Sequence, residues 1–191
     1  MATKFRHVPE IKTARDLIAS GDIGDVMHFQ IEFAGKADMS QRWNSNPVLS
    51  GGGVIIDNGS HALDLAAFLC GDLRSVETHR GAQRQPFAVE DCAVLNARAA
   101  NGAAVEITLS WSDAPASDFY VNARGSEGSI AIGWKASFLQ RTGGEPVQMG
   151  SGYDKNAVHR AMMSRFRDLV GGQPTGWITR DEIVANAAAL D

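Results

Sequence analysis

The sequence predicts an α+β fold: an open, predominantly antiparallel β-sheet with helices packed on one face. Three observations predict it. Apolar and polar residues alternate in six short segments. Tight-turn signals join several of them, with Asn101-Gly102 the strongest. Segments of helical period flank that run of strands rather than interleave with it.

Residues 9–20, "PEIKTARDLIAS", read as a helix with Pro9 in its first turn, an apolar stripe of Ile11, Ala14, Leu17 and Ile18, and a stop at Gly21. "VMHFQIEF" at 26–33 alternates as a strand, with Met27, Phe29, Ile31 and Phe33 on one face and His28, Gln30 and Glu32 on the other. Residues 34–50 have no sustained period and read as a long loop, a common place for function. A helix is expected from 57 to 70, ended by Gly71. Strands are expected at 73–79, 89–99, 103–111, 118–124 and 129–134. Helices at 155–170 and from Thr179 close the chain; Val158, Met162, Phe166 and Leu169 form the apolar face of the first. In the strand at 103–111, Val105, Ile107, Leu109 and Trp111 share one side. One helix layer covers one sheet face, so the mixed opposite face is left for solvent or another subunit.

The composition bounds the function. The 191 residues suit one domain, and the formal net charge of -4 with no basic stripe argues against nucleic acid. No apolar run is long enough for a membrane span, and the N-terminus has no secretory signal. Cys70 and Cys92 form no CxxC pair and read as free thiols in a reducing compartment, so a cytoplasmic location is expected.

The stretch "GGGVIIDNGSHALD" at 51–64 carries the chemistry. Asp57, His61 and Asp64 stand at i, i+4 and i+7, a spacing that places them near one edge of a helix. Asp57 can hold the imidazole in one tautomer, and His61 can then move a proton near neutral pH. The bland reading makes Asp57 or Asn58 the N-cap of the helix. The glycines and the apolar surroundings of His61 favour the functional one. Arg42 and Trp43, in the long loop, are candidates to line a pocket for a polar substrate. Lys4, Arg6 and His7 are either a solvated end or the rim of a cleft. Metal binding is not expected, because neither HExxH nor a Cys/His set appears. "GGGVIIDNGS" also fails the GxGxxG spacing of a dinucleotide loop.

Three stretches resemble one family: "KFRHVPEIKTARDLIASGDIGDV" at 4–26, "NPVLSGGGVIIDNGSHALDLAAFLCG" at 46–71 and "ARGSEGSI" at 123–130. The sequence is similar to the C-terminal domain of the Gfo/Idh/MocA oxidoreductases, the glucose–fructose oxidoreductase and inositol dehydrogenase family. The middle stretch is the most specific of the three. The resemblance implies an open sheet that builds homo-oligomers through its exposed face. It also implies a substrate domain, over 1–191, for NAD- or NADP-dependent oxidation of a CH–OH group on a sugar, cyclitol or similar polyol. It casts His61 as proton acceptor and Asp57 as the residue that orients it, with Asp64 in support; Asn58 is taken as a further candidate for substrate contact. The family's cofactor loop and its EKP-like lysine, carried by a Rossmann domain, have no counterpart in this sequence. No cofactor site is therefore expected in the chain itself. Activity is expected only with a Rossmann partner; the alternative is a catalytically silent binding or assembly module of the same fold.

Overall fold

A computed structural model describes residues 3–173 and 176–190. Helix α1 (Pro9–Ser20) starts at Pro9, whose missing N–H costs nothing in a first turn, and closes on Gly21 at φ +79°. Ile11 and Ala14 are buried, and Leu17 and Ile18 pack at the core edge.

Strand β1 (Val26–Ala34) is central. The inward set expected there needs a correction. A register shift between Val26 and His28 marks a bulge against β5 (Phe119–Gly125), which turns Val26 inward and leaves Met27 52% exposed. Phe29, Ile31 and Phe33 are buried as expected.

The other strands are β2 (Leu73–Arg80), β3 (Cys92–Ala99), β4 (Ala104–Ser110), β6 (Gly128–Gly133), β7 (Ser137–Arg141) and β8 (Val147–Gly150). They form one sheet in the order β2-β3-β4-β1-β5-β6-β7-β8. Only β1 and β4 pair in parallel; every other neighbouring pair is antiparallel. The sheet thus has eight strands rather than the expected six. The two extra strands are short and lie toward one edge, where β8 is half-buried at best. The strand expected from 89 begins at Cys92, because Glu90 and Asp91 turn their carboxylates to neighbouring backbone. The Asn101-Gly102 turn forms: Gly102 takes φ +90°, and Asn101 Oδ1 accepts from the Ala103 N–H at 3.0 Å.

Val105, Ile107, Leu109 and Trp111 are buried beneath the helix layer with Leu95, Val121 and Ile130. Helix α3 (Ser60–Cys70) lies on β1 and β4, and α1 lies on β6 and β8. On the opposite sheet face Gln30, Glu32, Glu106 and Asn122 are half-buried, and Arg98 and Arg124 are exposed. Helix α4 (Lys155–Val170) is capped by Asp154. Of its expected stripe only Val158 is deeply buried, while Phe166 and Leu169 stay 47% and 41% exposed. Helix α5 (Arg180–Ala188) opens with a Thr179–Glu182 capping box and rests on α3, where Asn186 Nδ2 donates to the Ser60 carbonyl at 3.0 Å. Both cysteines are free.

Candidate active site

The glycine run is explained by Glu90. Gly51 ends the short helix α2 (Pro47–Ser50) at φ +76°. Two residues on, the chain passes so close to Glu90 that a Cβ on Gly53 would stand 2.0 Å from its carbonyl oxygen. Only glycine permits that approach. Glu90 Oε1 accepts from the N–H groups of Gly53 (2.8 Å) and Ile55 (3.1 Å), and the Glu90 carbonyl accepts from Val54 N–H at 2.9 Å. A helix start exposes unpaired N–H groups and favours an anion. Here Glu90 supplies that anion from outside the helix; neither Asp57 nor Asn58 acts as the cap. The same contacts engage the N–H groups of Gly53, Val54 and Ile55, donors that a phosphate at this turn would need.

The helix also begins earlier than expected. Ile55–Gly59 forms a π-helical turn that runs directly into α3. A wider turn changes the angular phase of the helix beyond it. Asp57, Asn58 and His61 line a cleft of about 340 Å³, whereas Asp64 faces elsewhere. Lys4 and Phe5, from the 3-10 turn Lys4–His7, complete one side of the cleft. Lys36, Met39 and Arg42 come from the loop after β1, and Trp111 and Trp134 add aromatic wall.

That loop is fastened by Gln85. Its Oε1 accepts from Met39 N–H at 3.1 Å, and its Nε2 donates to the Ala37 carbonyl at 3.0 Å. Arg42 therefore reaches the cleft from an anchored base. Trp43, the next residue, is 62% exposed and lies outside it.

The polar groups of the cleft are poorly paired. Nδ1 of His61 is buried without a hydrogen-bond partner, and Phe5 stands edge-on to the ring at 5.9 Å. Burial, then the charge of Lys4, push His61 down to about 4, so the imidazole is neutral at pH 7. Burial raises Asp57 above the usual carboxylate range, against the opposing pull of Lys4 and Arg42. The Lys4 ammonium is lowered by burial and by Lys155, with Asp57 acting the other way. No hydrogen bond joins Asp57 to His61; the imidazole is held by packing.

Asp64 is fully engaged. Both of its oxygens accept from Arg6 Nε at 3.0 Å, and Oδ1 also accepts from Arg6 Nη2 at 2.7 Å. Arg6 Nη1 donates to Glu182 on α5 at 2.8 Å. The three residues at the start of the chain thus separate: Lys4 rims the cleft, Arg6 joins this ion pair, and His7 packs near Trp177. Sequence reasoning missed Glu90, Gln85 and Trp134. Their roles rest on contacts distant in sequence, and only the glycine run hinted at one of them.

Among the described residues no group of three or more His, Cys, Asp or Glu is placed to hold a metal ion. No helix among them is long and apolar enough to cross a membrane.

Solved structures share this fold. An oxidoreductase from Thermotoga maritima superposes with a TM-score of 0.80 at 20% identity, over 100% of this chain and 57% of its own. An aldose-aldose oxidoreductase from Caulobacter crescentus, complexed with glycerol, gives 0.80 at 20% over 98% and 58%. A levoglucosan dehydrogenase in complex with NADH and levoglucosan gives 0.80 at 19% over 98% and 61%. The chain thus spans about three fifths of the length of these structures. No curated protein matches it in sequence. The model of the GFO/IDH/MocA C-terminal domain matches residues 11–131, more than half of the chain, which therefore belongs to that family.

Proposed function

We propose that this chain is the substrate-binding and oligomerisation domain of an NAD(P)-dependent oxidoreductase that acts on a CH–OH group of a sugar, cyclitol or similar polyol. The observation that carries the reading is His61: a neutral imidazole on a cleft wall, with its buried nitrogen unpaired. Among the described residues four other buried polar atoms, on His7, Glu10, Asp91 and Tyr120, also lack a partner; His61 is the one of the five that lines this cleft. Oxidation of a secondary alcohol sends a hydride from carbon to an acceptor and a proton from oxygen to a base. The neutral His61 takes the proton as the carbonyl forms. Asp57, which lines the same cleft, offsets the positive charge that the ring then gains, and Asn58 and Arg42 meet the substrate's other polar groups. The chain's own glycine run is filled by Glu90, so the nicotinamide that accepts hydride would sit on a Rossmann domain, in the same protein or a separate one. The polar sheet face opposite the helices is the surface for homo-oligomers, and sedimentation is expected to show a dimer or larger.

The test joins this chain to the part of the levoglucosan dehydrogenase that it does not cover, a protein solved with NADH, and assays a panel of polyols. NAD(P)-dependent oxidation is expected, with His61→Asn lowering kcat by roughly 10²–10⁴-fold. A hybrid that binds NADH yet oxidises no polyol, or is indifferent to His61→Asn, defeats the reading. Calorimetry on the chain alone is expected to give no heat with NAD(H) or NADP(H).

A further inference from the structure

The charge of the cleft opposes the charge of the chain. The sequence carries a formal net charge of -4. Yet three cationic side chains, Lys4, Lys36 and Arg42, line the cleft against the single carboxylate of Asp57. None of the three takes part in any of the ion pairs formed among the described residues. Lys155 adds a fourth positive charge close enough to Lys4 to be felt there.

Isolated surface cations are ordinary, but these converge on one concavity. Its walls include Phe5, Phe33, Trp111 and Trp134, an apolar surround that weakens screening and focuses the field. The charges are also spread across it. Lys4 acts on both Asp57 and His61, and Arg42 acts on Asp57. Arg42 and Lys36 both belong to the loop after β1 whose base Gln85 fastens, at positions 36 and 42 beside the anchored Ala37 and Met39. A neutral polyol brings no charge to meet this positive excess, and a guanidinium is well suited to a carboxylate or a phosphate.

We infer that the cleft takes a polyol bearing one anionic group, a carboxylate or a phosphate, seated against Arg42 and Lys36 with a hydroxyl directed to His61. The inference rests on the reading of this cleft as a polyol site. It narrows the substrate class to sugar acids or sugar phosphates.

The test is a titration of the isotopically labelled chain, followed by amide NMR shifts at low salt. D-gluconate is compared with D-sorbitol, which replaces its carboxylate by CH2OH, and D-glucose 6-phosphate with D-glucose. At least one anion is expected to bind about 10-fold or more tightly than its neutral counterpart, about 1.4 kcal/mol. The amides of Gly35, Lys36 and Arg42 are expected to move. The preferred anion identifies carboxylate or phosphate. Preference is expected to vanish in the Lys36→Gln/Arg42→Gln double variant, whose changes lie at exposed loop positions. Equal affinity for charged and neutral partners, or a preference that survives the double variant, overturns the inference and leaves the polyol reading standing. Failure of all four probes to move Asn58 or His61 also overturns the inference, while the polyol reading is decided by the hybrid assay.

Discussion

Asp57 and Asp64 leave the same helical segment for opposite surroundings. Asp64 is 3% exposed and both of its oxygens are hydrogen-bonded to Arg6, which bridges it to Glu182. Asp57 stands in an open cleft beside an unpaired imidazole and cations that make no ion pair. Burial pushes both carboxyls above their ordinary range, but only Asp64 has hydrogen bonds that oppose the push. On the proposed function, the difference separates a polar group kept for structure from one left available to a substrate. Satisfied networks fix a fold, whereas unsatisfied groups that line a cleft are costs that folding alone does not explain.

That contrast can be broken experimentally. The largest effect is expected for Arg6→Met, which leaves the Asp64 carboxylate buried and unpaired. Urea unfolding should show a loss of about 3–5 kcal/mol, with Asp64→Leu in the same background restoring most of it. A loss below about 1 kcal/mol, as for an exposed pair, would show that this ion pair does not hold α3 to the chain start. Next comes Gly53→Ala. Its methyl would meet backbone rather than a movable side chain, and a loss of about 1–3 kcal/mol is expected. An alanine accepted without cost would mean that the turn on Glu90 is looser than described. His61→Leu should do the reverse of Arg6→Met: stability unchanged, or higher by up to about 1 kcal/mol, since a buried unpaired nitrogen is removed. A clear loss would return His61 to the structural class.

The smallest effect sharpens the comparison through pH. His61 is expected to titrate by NMR near pH 4, and Lys4→Gln should raise its midpoint only partly, because burial is the larger cause. Its folded pKa lies below its unfolded value of 6.5, so the unfolded chain binds more protons between the two. The contribution of His61 to stability is therefore complete above pH 6.5 and declines as pH falls toward 4. His7, also pushed down to about 4, acts with the same sign. A midpoint for His61 at its ordinary value would mean that the cleft wall is open to water.

The fold was readable where local chemistry decided it. Pro9 and Gly21 bounded α1, Asn101-Gly102 gave the hairpin, and period two gave the inner strands. The short strands β7 and β8, next to and at one edge, were lost because short, half-buried segments carry little apolar pattern. Met27 was misassigned because a bulge is created by the partner strand's register. Spacing singled out Asp57 and His61 and loop chemistry singled out Arg42, and all three line one cleft with Asn58. Asp64 and Trp43 were grouped with them, but the structure sets them apart. Asp64 is engaged by Arg6 from a distant turn, which no helical wheel foresees, and the sequence does not reveal which of two adjacent loop residues faces inward. Glu90 and Gln85 act across long separations, so nothing local marked them.

The place of β1 has a consequence for how the chain reaches this state. It emerges first among the strands, yet its neighbours are β4 on one side and β5 on the other. Strands β2–β4 and β5–β8 each form a meander of consecutive antiparallel pairs that can close locally. Seating β1 between them demands the most distant contacts in the sheet, including its one parallel pairing. Such contacts close late and slowly. During synthesis Phe29, Ile31 and Phe33 must therefore wait without a partner until β4 and β5 have been made, an interval in which capture by a chaperone competes with aggregation.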